Sequence, residues 1–386
     1  MTKAERERIR AYAGRIARAA ALVVDVGWVN GLAAIRSLGR AGVPVLALDH
    51  RPSALGFRSR YALPVLCPHA GESEARFVEF LSELGDVLER PAPVFATHDE
   101  GLYAIARSRD VLVDRFRYPF PAAPRFAAIE TKRAQLERAE ALGIGTPRTA
   151  YPGSAAEARA AAEELGFPVL VKPSRPEVFK HVHRGRHAFR CSSRDELERA
   201  YATTAAFDPM IQEVVPGGDD ALYSLGSYVA ADGEPLGVFS GRKLRQTPPQ
   251  IGTCRVGEAV WVQEVVDSGL RLLRALEFNG VSQVEFKRDP RDGRFKLMEV
   301  NPRLWQWHGL AAACGVDLPV IAYADLVGEN VRSARMDGEG KRWAISLLPG
   351  EPPVLPRPPY VDAVFARDDV KPGLVQVARL VRSMVP

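Results

Sequence analysis

The stretch GVSQVEFKRDPRDGRFKLMEVNPR, residues 280–303, constrains the fold more than any other. Two apolar runs flank a polar segment that contains Pro and Asp-Gly, so the pattern predicts two antiparallel strands joined by a turn. If the loop comprises residues 290–294, Glu285 lies close to opposite Glu299. Side chains repeat every two residues along a strand, so both glutamates then share a face with Asn301. The sequence does not fix this register, but with it the chain must accommodate two facing carboxylates.

This predicted pair of carboxylates requires a compensating charge. Two facing carboxylates repel each other, and the apolar residues around them disfavour their charged form. The carboxylates of Glu285 and Glu299 and the amide of Asn301 offer the hard oxygen ligands that Mg²⁺ prefers, with positions left for water and phosphate. Pro302 ends the strand, so Arg303 can turn toward whatever the metal holds. The alternative is a hairpin whose charged face meets only water.

The rest of the chain alternates between strand-like and helix-like patterns. A basic N-terminal helix (residues 1–20) precedes a strand–helix–strand pattern and a further strand, which predict an α/β domain with a mostly parallel sheet over residues 21–125. Residues 127–143 predict one helix, and residues 221–244 predict a second hairpin that turns at Asp232-Gly233. The predicted fold class is therefore α/β combined with α+β.

Several residues outside the hairpin are suited to a nucleotide. Lys172 ends the apolar run VLVK just before a loop, and Lys132 lies one segment earlier on the predicted helix. A lysine provides a point charge suited to a polyphosphate, although a lysine with its head in solvent is the simpler interpretation of each. The basic loop 175–187 supplies the further cations Lys180, Arg184 and Arg186 for covering phosphates. Its three histidines lack a cysteine or carboxylate at ligand spacing, so no zinc site is predicted there.

The segment IQEVVPGGDD, residues 211–220, places a strand edge before a glycine turn and two aspartates. The backbone from Glu213 to Val215 is a candidate for reading an adenine edge. Either Asp219 or Asp220 could then meet a ribose hydroxyl. The alternative is an acidic β-turn without a ligand.

Composition and charge limit the classes of protein to which the chain could belong. The 386 residues are 46% hydrophobic and 26% charged, which is ordinary for a globular protein and long enough for two or three domains. No membrane span is predicted, and the four scattered cysteines favour reduced thiols and a cytoplasmic location. The net charge of +5 is spread along the chain without a basic and aromatic stripe, so nucleic-acid binding is not predicted.

The ordered motifs resemble the ATP-grasp superfamily over about residues 21–330. They are Lys132 followed by GIGTP, then VLVKP, IQEVVPG, VEFK and MEVNPR. Within the superfamily the chain resembles the carboxylate–amine ligase group that includes D-aspartate ligase-like proteins. The resemblance implies an ATP-grasp fold in which two lobes clasp the nucleotide. The implied domains are a parallel-sheet pre-ATP-grasp domain (21–125), an ATP-grasp domain (126–330) and a C-terminal extension (331–386). The ATP-grasp domain would consist of a small lid lobe (about 145–215) and a catalytic lobe (about 216–330).

The resemblance also implies roles for individual residues. For the nucleotide, it implies that Lys132 and Lys172 contact the ATP phosphates, Glu213 and Val215 contact adenine, and Asp220 or else Asp219 contacts ribose. For the metal, it implies that Glu285, Glu299 and Asn301 bind Mg²⁺ or Mn²⁺. For the reaction, it implies that Arg303 contacts the reacting phosphate and carboxylate, and that Arg242, Lys243 and Arg245 contact the γ-phosphate or the acidic substrate. The bulky LWQWH (304–308) departs from many relatives and should reshape the acceptor pocket. His308 within it is either an acceptor of the amine proton or a packed histidine.

The function implied is an ADP-forming ligase that uses ATP and Mg²⁺ to join a small carboxylate, perhaps an amino acid, to an amine. A carboxylate is a poor acyl donor, so it would first be converted to an acyl phosphate. Loop 175–187 would act as a lid that excludes water. The alternatives are an enzyme that activates bicarbonate, and a sensor that binds ATP without turnover. The resemblance also favours a homodimer through the first domain.

Overall fold

The computed structural model describes residues 1–122, 125–174, 179, 183, 188–250 and 252–384. These residues form three sheets, and the first is a five-stranded parallel sheet with strand order β3-β2-β1-β4-β5. Its central strands are continuous apolar runs because helices cover both faces. The strands are Ala21–Val24 (β1), Val45–Asp49 (β2), Ala62–Leu66 (β3), Ala92–Ala96 (β4) and Phe116–Arg117 (β5), and the helices are Lys3–Ala13 (α1), Val29–Arg40 (α2), Glu74–Val87 (α3), Asp99–Arg107 (α4) and Arg109–Leu112 (α5).

The order of this sheet reverses at its centre. β1 pairs with β2 on one side and with β4 on the other, so the connections after β1 and β4 leave in opposite directions. In open parallel sheets, the crevice beyond the carboxyl ends of the strands at such a reversal is a common ligand position. Asp25 follows β1 and Thr97 follows β4 at this edge.

A smaller antiparallel sheet follows, with strand order β6-β9-β7-β8. Two helices with N-caps Ser154 and Ser193 pack against it around a small apolar core that includes Val169, Val171 and Ile211. The strands are Thr149–Ala150 (β6), Val169–Pro173 (β7), Phe189–Cys191 (β8) and Pro209–Glu213 (β9), and the helices of this region are Ala127–Glu130 (α6), Lys132–Ala141 (α7), Ala155–Leu165 (α8) and Arg194–Thr204 (α9).

The helix predicted over residues 127–143 is two helices in the structure. Thr131 has an extended backbone (φ −110°, ψ 142°), and its hydroxyl oxygen accepts a hydrogen bond from the N–H of Ala134 at 3.2 Å. Threonine is a favoured N-cap because its side chain satisfies an N–H that has no partner within the helix. The break makes Lys132 the first residue of α7.

The third sheet is mainly antiparallel and has strand order β14-β13-β10-β11-β12-β16-β17, with β15 paired to β11. Residues 334–362 contribute three short strands to it, which the sequence did not indicate. The strands are Leu222–Val229 (β10), Pro235–Thr247 (β11), Thr253–Ala259 (β12), Gly280–Arg288 (β13), Phe295–Asn301 (β14), Ala334–Arg335 (β15), Arg342–Ala344 (β16) and Tyr360–Asp362 (β17), and the helices are Gln263–Ala275 (α10), His308–Ala313 (α11), Leu318–Leu326 (α12) and Lys371–Met384 (α13).

Both predicted hairpins are present. β10 and β11 pair around the turn at Asp232-Gly233, where Gly233 has a positive φ of 90° that suits glycine. β13 and β14 pair with Glu285 directly opposite Glu299, as expected for a loop of residues 290–294. Next to the turn, however, Arg288 pairs with Phe295, and a bulge between Glu285 and Phe286 shifts the register by one residue and so brings the two glutamates opposite each other. The predicted combination of α/β and α+β architecture is also confirmed. Among the described residues, no helix is long and apolar enough to cross a bilayer.

Candidate functional site

The site is built on one row of residues across the third sheet. Gly241, Ser224, Glu285 and Glu299 are successive cross-strand partners on β11, β10, β13 and β14, so the side chains of Ser224, Glu285 and Glu299 share one face. On this face the Nζ of Lys243 lies 2.7 Å from the Oε2 of Glu285. Because the sequence predicts metal and phosphate binding here, we call Ser224, Gly241, Lys243, Glu285 and Glu299, together with Lys132, the catalytic row.

Lys132 reaches the second carboxylate of the catalytic row from the start of α7. Its Nζ donates to the Oε2 of Glu299 at 2.6 Å. Attraction to Lys132 outweighs the effect of burial and holds the pKa of Glu299 well below its usual range. Burial alone would lower the pKa of Lys132, but the charge of Glu299 raises it above its ordinary value. Both groups are therefore charged and neutralise each other.

Asn301 is the third predicted metal ligand, and in the structure its amide nitrogen, not its amide oxygen, faces Glu299. Its Nδ2 donates to the Oε1 of Glu299 at 3.0 Å, while its Oδ1 accepts from the Nη2 of Arg303 at 3.4 Å. Lys132, Lys243 and the Asn301 amide thus place N–H donors on the two carboxylates, where a cation would otherwise compensate them. Two carboxylates and an amide oxygen fit Mg²⁺ or Mn²⁺ once the amide turns over.

Lys172 approaches from the smaller sheet. It lies on β7, and its Nζ donates to the Oε1 of Gln212 at 2.7 Å. Burial, reinforced by the charge of Lys132, lowers the pKa of Lys172 to about 7. Within the described ranges this lysine has no carboxylate in contact, unlike Lys132 and Lys243. A buried cation without a counter-ion is best stabilised by an anionic ligand.

The residues predicted to hold adenine lie where the chain passes from the smaller sheet to the third sheet. The carboxylate of Glu213 is bound by Lys296 at 2.8 Å and by Arg291 at 3.0 Å, and hydrogen bonds of this kind outweigh burial and hold the pKa of Glu213 at about 2. The carbonyl of Val215 accepts from Lys287 at 2.9 Å. The side chain of Glu213 therefore stabilises the connection, and a role for its backbone in adenine binding stays a prediction.

The two aspartates after this connection differ in their contacts. Asp219 accepts hydrogen bonds from the backbone N–H groups of Gln246 and Gln250 at 2.7 and 2.8 Å, so it anchors the end of β11. Asp220 is exposed and makes no side-chain hydrogen bond within the part of the chain that the structure describes. Of the two, Asp220 is the one available to a ribose hydroxyl.

Arg242, Lys243 and Arg245, the three cations predicted to contact a ligand from β11, do not lie on the same side of the sheet or in the same surroundings. Arg242 pairs in register with Tyr223 and Glu258, one residue along from the catalytic row, so it points to the opposite face of the sheet. It binds Glu258 there at 2.8 Å, on the face away from the catalytic row, so the structure gives no support to its predicted contact with the γ-phosphate or the acidic substrate, which stays a prediction. Lys243 lies in the site, whereas Arg245 is exposed at a bulge and its role stays a prediction.

Arg303 connects the catalytic row with the parallel sheet. Its Nε lies 2.5 Å from the Oδ1 of Asp99, at the start of α4, and its Nη2 contacts Asn301. The sequence analysis missed Asp99, although the segment ATHDEG after β4 places polar residues where a parallel strand ends. A carboxylate at the carboxyl end of a buried strand was the available signal.

The aromatic residues of LWQWH are core residues. Trp305 and Trp307 are each 1% exposed, and they lie over Gly226 and over Gly241 and Gly257, where a Cβ would approach the indole rings within 3 Å. The pair therefore fills space above the sheet rather than lining an open cleft. His308 is 1% exposed, and burial lowers its pKa to about 4, so its ring is neutral.

The predicted lid, loop 175–187, lies outside the described residues apart from Phe179 and His183. The ring of His183 stacks on Phe179 with centroids 4.2 Å apart. The predicted cations Lys180, Arg184 and Arg186 are likewise not among the described residues. In the described part of the chain, no three His, Cys, Asp or Glu side chains gather as a metal site.

The proteins that resemble this chain in sequence include carbamoyl phosphate synthases and a D-aspartate ligase. The family model for the carbamoyl-phosphate synthase L chain, ATP binding domain, matches residues 259–332. The carbamoyl phosphate synthase large chain of Myxococcus xanthus is 24% identical over 322 residues, which cover 80% of this chain and 29% of that protein. The D-aspartate ligase of Enterococcus faecium is 30% identical over 145 residues, which cover 36% of this chain and 34% of that one. The chain thus spans about a third of the length of these relatives.

Solved structures share the fold. Biotin carboxylase from Campylobacter jejuni aligns over 81% of this chain and 72% of that one, with a TM-score of 0.65 and 14% identity. An N5-carboxyaminoimidazole ribonucleotide synthetase in complex with ADP aligns over 83% of this chain and 80% of that one, with a TM-score of 0.64 and 14% identity. The fold shared with these structures and the similarity to these relatives agree with the resemblance of the ordered motifs to the ATP-grasp superfamily.

Proposed function

We propose that the protein is an ADP-forming ligase that binds ATP and Mg²⁺ and joins a small carboxylate to an amine. The observation that carries the proposal is the catalytic row, where Glu285 and Glu299 face each other and are compensated by Lys243 and Lys132. The relatives support it, since the group includes a D-aspartate ligase and a structure crystallised with ADP.

The charges around the catalytic row suit a polyphosphate. Lys132, Lys172, Lys243 and Arg303 carry four positive charges when all are protonated. The carboxylates in contact with them, Glu285, Glu299 and Asp99, carry three negative charges, which leaves an excess of one positive charge. ATP phosphates would draw Lys132 and Lys243 away from the glutamates, and Glu285, Glu299 and Asn301 would then hold the cation. When bound, Mg²⁺ would supply charge neutralisation at the phosphates.

The chain's residues then act by positioning and by charge. The substrate carboxylate attacks the γ-phosphorus, and ADP leaves with the electrons of the broken P–O bond. The neutral amine attacks the acyl carbon, the C–N bond forms, and phosphate leaves with the electrons of the C–O bond and takes up the proton that the amine nitrogen loses. Arg303, held between Asp99 and Asn301, would orient the transferring phosphoryl group and the carboxylate. No covalent nucleophile from the protein is needed.

The test is ADP release with pools of amino acids and amines, with product masses measured in parallel. We expect ADP, phosphate and a product whose mass is that of acid plus amine minus water. Glu299→Ala should abolish this turnover, whereas Glu329→Gln, which removes a surface partner of Arg18, should not. Turnover that survives Glu299→Ala, or no ADP release with any pool, would contradict the proposal.

Activation of bicarbonate is the second candidate. It is favoured by the matches to carbamoyl phosphate synthase and biotin carboxylase, because bicarbonate is named in a related structure of a carboxylase domain. Bicarbonate is itself a small carboxylate, so the same row would serve. ADP release that requires bicarbonate and no organic acid would replace the first candidate with this one.

A further inference from the structure

A buried glutamine joins the helix that carries Lys132 to the strand that carries Glu299 and Asn301. Gln135 lies on α7 and is 4% exposed. Its Oε1 accepts a hydrogen bond from the N–H of Val300 at 2.8 Å, and its Nε2 donates to the carbonyl of Val300 at 3.0 Å. The side-chain amide therefore binds both backbone polar groups of one residue in β14.

The position of β14 in its sheet explains why Val300 needs such a partner. β14 is the edge strand of the third sheet and lies next to β13. In an antiparallel pair, the backbone groups of alternate residues point away from the neighbouring strand. A buried N–H or C=O at an edge has no strand to pair with, and leaving it without a partner costs free energy. Gln135 supplies both hydrogen bonds, as a further strand would.

A third hydrogen bond ties the same amide to the chain before α7. The Nε2 of Gln135 also donates to the carbonyl of Ile129 at 2.8 Å. Ile129 belongs to α6, and Thr131 separates the two helices. Because both N–H groups and the oxygen of the amide are engaged, its orientation is fixed. Gln135 thus holds the break that makes Lys132 the first residue of α7.

Lys132 and Gln135 contact neighbouring groups of β14. Residues three apart in a helix are neighbours on its surface. Lys132 reaches the Oε2 of Glu299 at 2.6 Å, while Gln135 holds Val300, the next residue. Glu299 and Asn301 flank Val300, so both of these predicted metal ligands extend from the backbone that Gln135 holds. The distance between α7 and β14 therefore decides which groups Lys132 can reach.

We propose that Gln135 is a positioning residue for the catalytic row and Asn301. Its amide holds α7 against β14, so that Lys132 can move from Glu299 to the ATP phosphates while Glu299 and Asn301 keep the places in which they would bind Mg²⁺. For its catalytic purpose, this inference rests on the proposed ligase function. Gln135 acts through the backbone of Val300 and through α7. A displacement of about 1 Å in such a support can lower a rate about 100-fold.

The test begins with Gln135→Met, which removes the three hydrogen bonds and keeps the length of the side chain. The N–H and carbonyl of Val300 then lose their partner, so the contact between α7 and β14 loosens. Gln376→Met is the matched control. Gln376 is also 4% exposed, lies on α13 and donates to a backbone carbonyl, that of Leu347, at 3.0 Å. Both variants lose buried hydrogen bonds, but only Gln135→Met loses them beside the catalytic row.

The first measurement uses the protein without nucleotide. Denaturant unfolding of Lys132→Met, Glu299→Gln and the double variant gives the coupling between these two residues. We expect this coupling to fall at least about twofold in the Gln135→Met background and to stay unchanged in the Gln376→Met background. Hydrogen exchange at the Val300 N–H should become at least about 10-fold faster in Gln135→Met alone. An unchanged coupling would show that Lys132 reaches Glu299 without Gln135 and would overturn the inference.

The second measurement uses ATP with and without Mg²⁺. We expect Gln135→Met to reduce the Mg²⁺-dependent gain in ATP affinity about 10-fold and kcat about 10- to 100-fold, with both unchanged in Gln376→Met. Equal losses in the two variants would assign the effect to stability and overturn the inference. Absence of ADP release in the wild type with every substrate pool would overturn the proposed function, while the coupling and the Mg²⁺-dependent affinity would still decide the role of Gln135.

Gln135→Asn is the second variant, for use if the methionine variant does not fold. Its amide is one methylene shorter, so it cannot hold Val300 and Ile129 together at the present distances. We expect the same changes in coupling and in Mg²⁺ dependence, at smaller size. Wild-type values of both in Gln135→Asn would overturn the inference.

Discussion

The catalytic row and the carboxyl edge of the parallel sheet differ in how their polar groups are satisfied. In the catalytic row each glutamate is neutralised by a lysine, Glu285 by Lys243 and Glu299 by Lys132. At the carboxyl edge, the buried atoms Asp25 Oδ2, Asn30 Oδ1 and His308 Nδ1 have no hydrogen-bond partner among the described residues. The row can therefore exchange internal partners for metal and phosphate, whereas these edge atoms have no internal partner to exchange.

Removing a carboxylate from the catalytic row should have the largest effect. Glu299→Gln leaves Lys132 without its counter-ion, so we expect stability to fall by roughly 3 kcal/mol. We also expect the Mg²⁺-dependent gain in nucleotide affinity to disappear and turnover to fall at least about 100-fold. Calorimetric titration with ATP, with and without Mg²⁺, and thermal unfolding measure these effects.

A double variant separates stability from function in that experiment. Lys132→Met combined with Glu299→Gln removes both charges, so stability should return while turnover stays absent. Recovery of turnover in the double variant would mean that the pair is structural. An exchange of the internal partners of the catalytic row for metal and phosphate would then be excluded.

Breaking the connection between the two regions should have the next largest effect. Arg303→Lys removes the planar group that contacts Asp99 and Asn301 together, and a lysine cannot reproduce both contacts. We expect kcat to fall about 10- to 100-fold with a smaller change in nucleotide affinity. Steady-state kinetics with varied ATP and amine measure this effect. A change confined to the KM for ATP would instead place Arg303 on the nucleotide side alone.

Substitutions of Asp219 and Asp220 should have smaller effects, and these effects distinguish an aspartate that stabilises the fold from one that contacts a ligand. Asp219→Asn weakens the anchoring of β11, so we expect a loss of about 1–2 kcal/mol in the free energy of unfolding. Asp220→Asn should leave stability unchanged and weaken ATP binding about 3- to 10-fold through a lost ribose contact. Denaturant unfolding and calorimetric titration distinguish the two, and the reverse pattern would assign the ribose to Asp219.

Uptake of a proton by Lys172 when ATP binds should be the smallest of the expected effects and the one most specific to a single residue. The pKa of Lys172 is lowered to about 7 from an ordinary value of 10.5, so the folded protein without ligand binds less than one proton there at pH 8. Phosphates favour the charged form, so ATP binding at pH 8 should take up close to one proton. Stability without ATP should likewise fall as the pH drops from 10.5 through 7.

Titrations in buffers with different ionisation enthalpies measure this proton uptake. Lys172→Met should abolish the uptake while it weakens ATP binding. An uptake that persists in Lys172→Met would assign the proton to another group, and ATP affinity that is independent of pH between 7 and 9 would exclude Lys172 from the phosphate site.

The local parts of the site were predictable from the sequence. The grouping of Glu285, Glu299 and Asn301 on one face followed from the two-residue period of a strand pair, but their pairing in the structure also depends on a bulge between Glu285 and Phe286 that the sequence did not indicate. Lys172 followed from its place at the end of an apolar strand, whereas the role of Lys132 came from the resemblance, because the helix break that makes it the first residue of α7 was not predicted. These signals are contained within short segments, where alternation and turn chemistry dominate.

The remaining parts depended on contacts between distant segments. Arg303 and Asp99 are 204 positions apart in the chain, and Asp25 meets Thr97 only once the parallel sheet forms. The direction of Arg242 depended on its pairing with β10 and β12, because one residue of register reverses the face. The tryptophans are buried because Gly226, Gly241 and Gly257, on three different strands, leave room above the sheet.

The most direct test of the account is to locate a divalent cation in crystals grown with Mn²⁺ and a non-hydrolysable ATP analogue. Anomalous scattering is predicted to show manganese bound by Glu285, Glu299 and Asn301, with Lys132 and Lys243 moved from the glutamates to the phosphates. A nucleotide bound elsewhere, or manganese absent from this row while both lysines keep their glutamate contacts, would contradict the account.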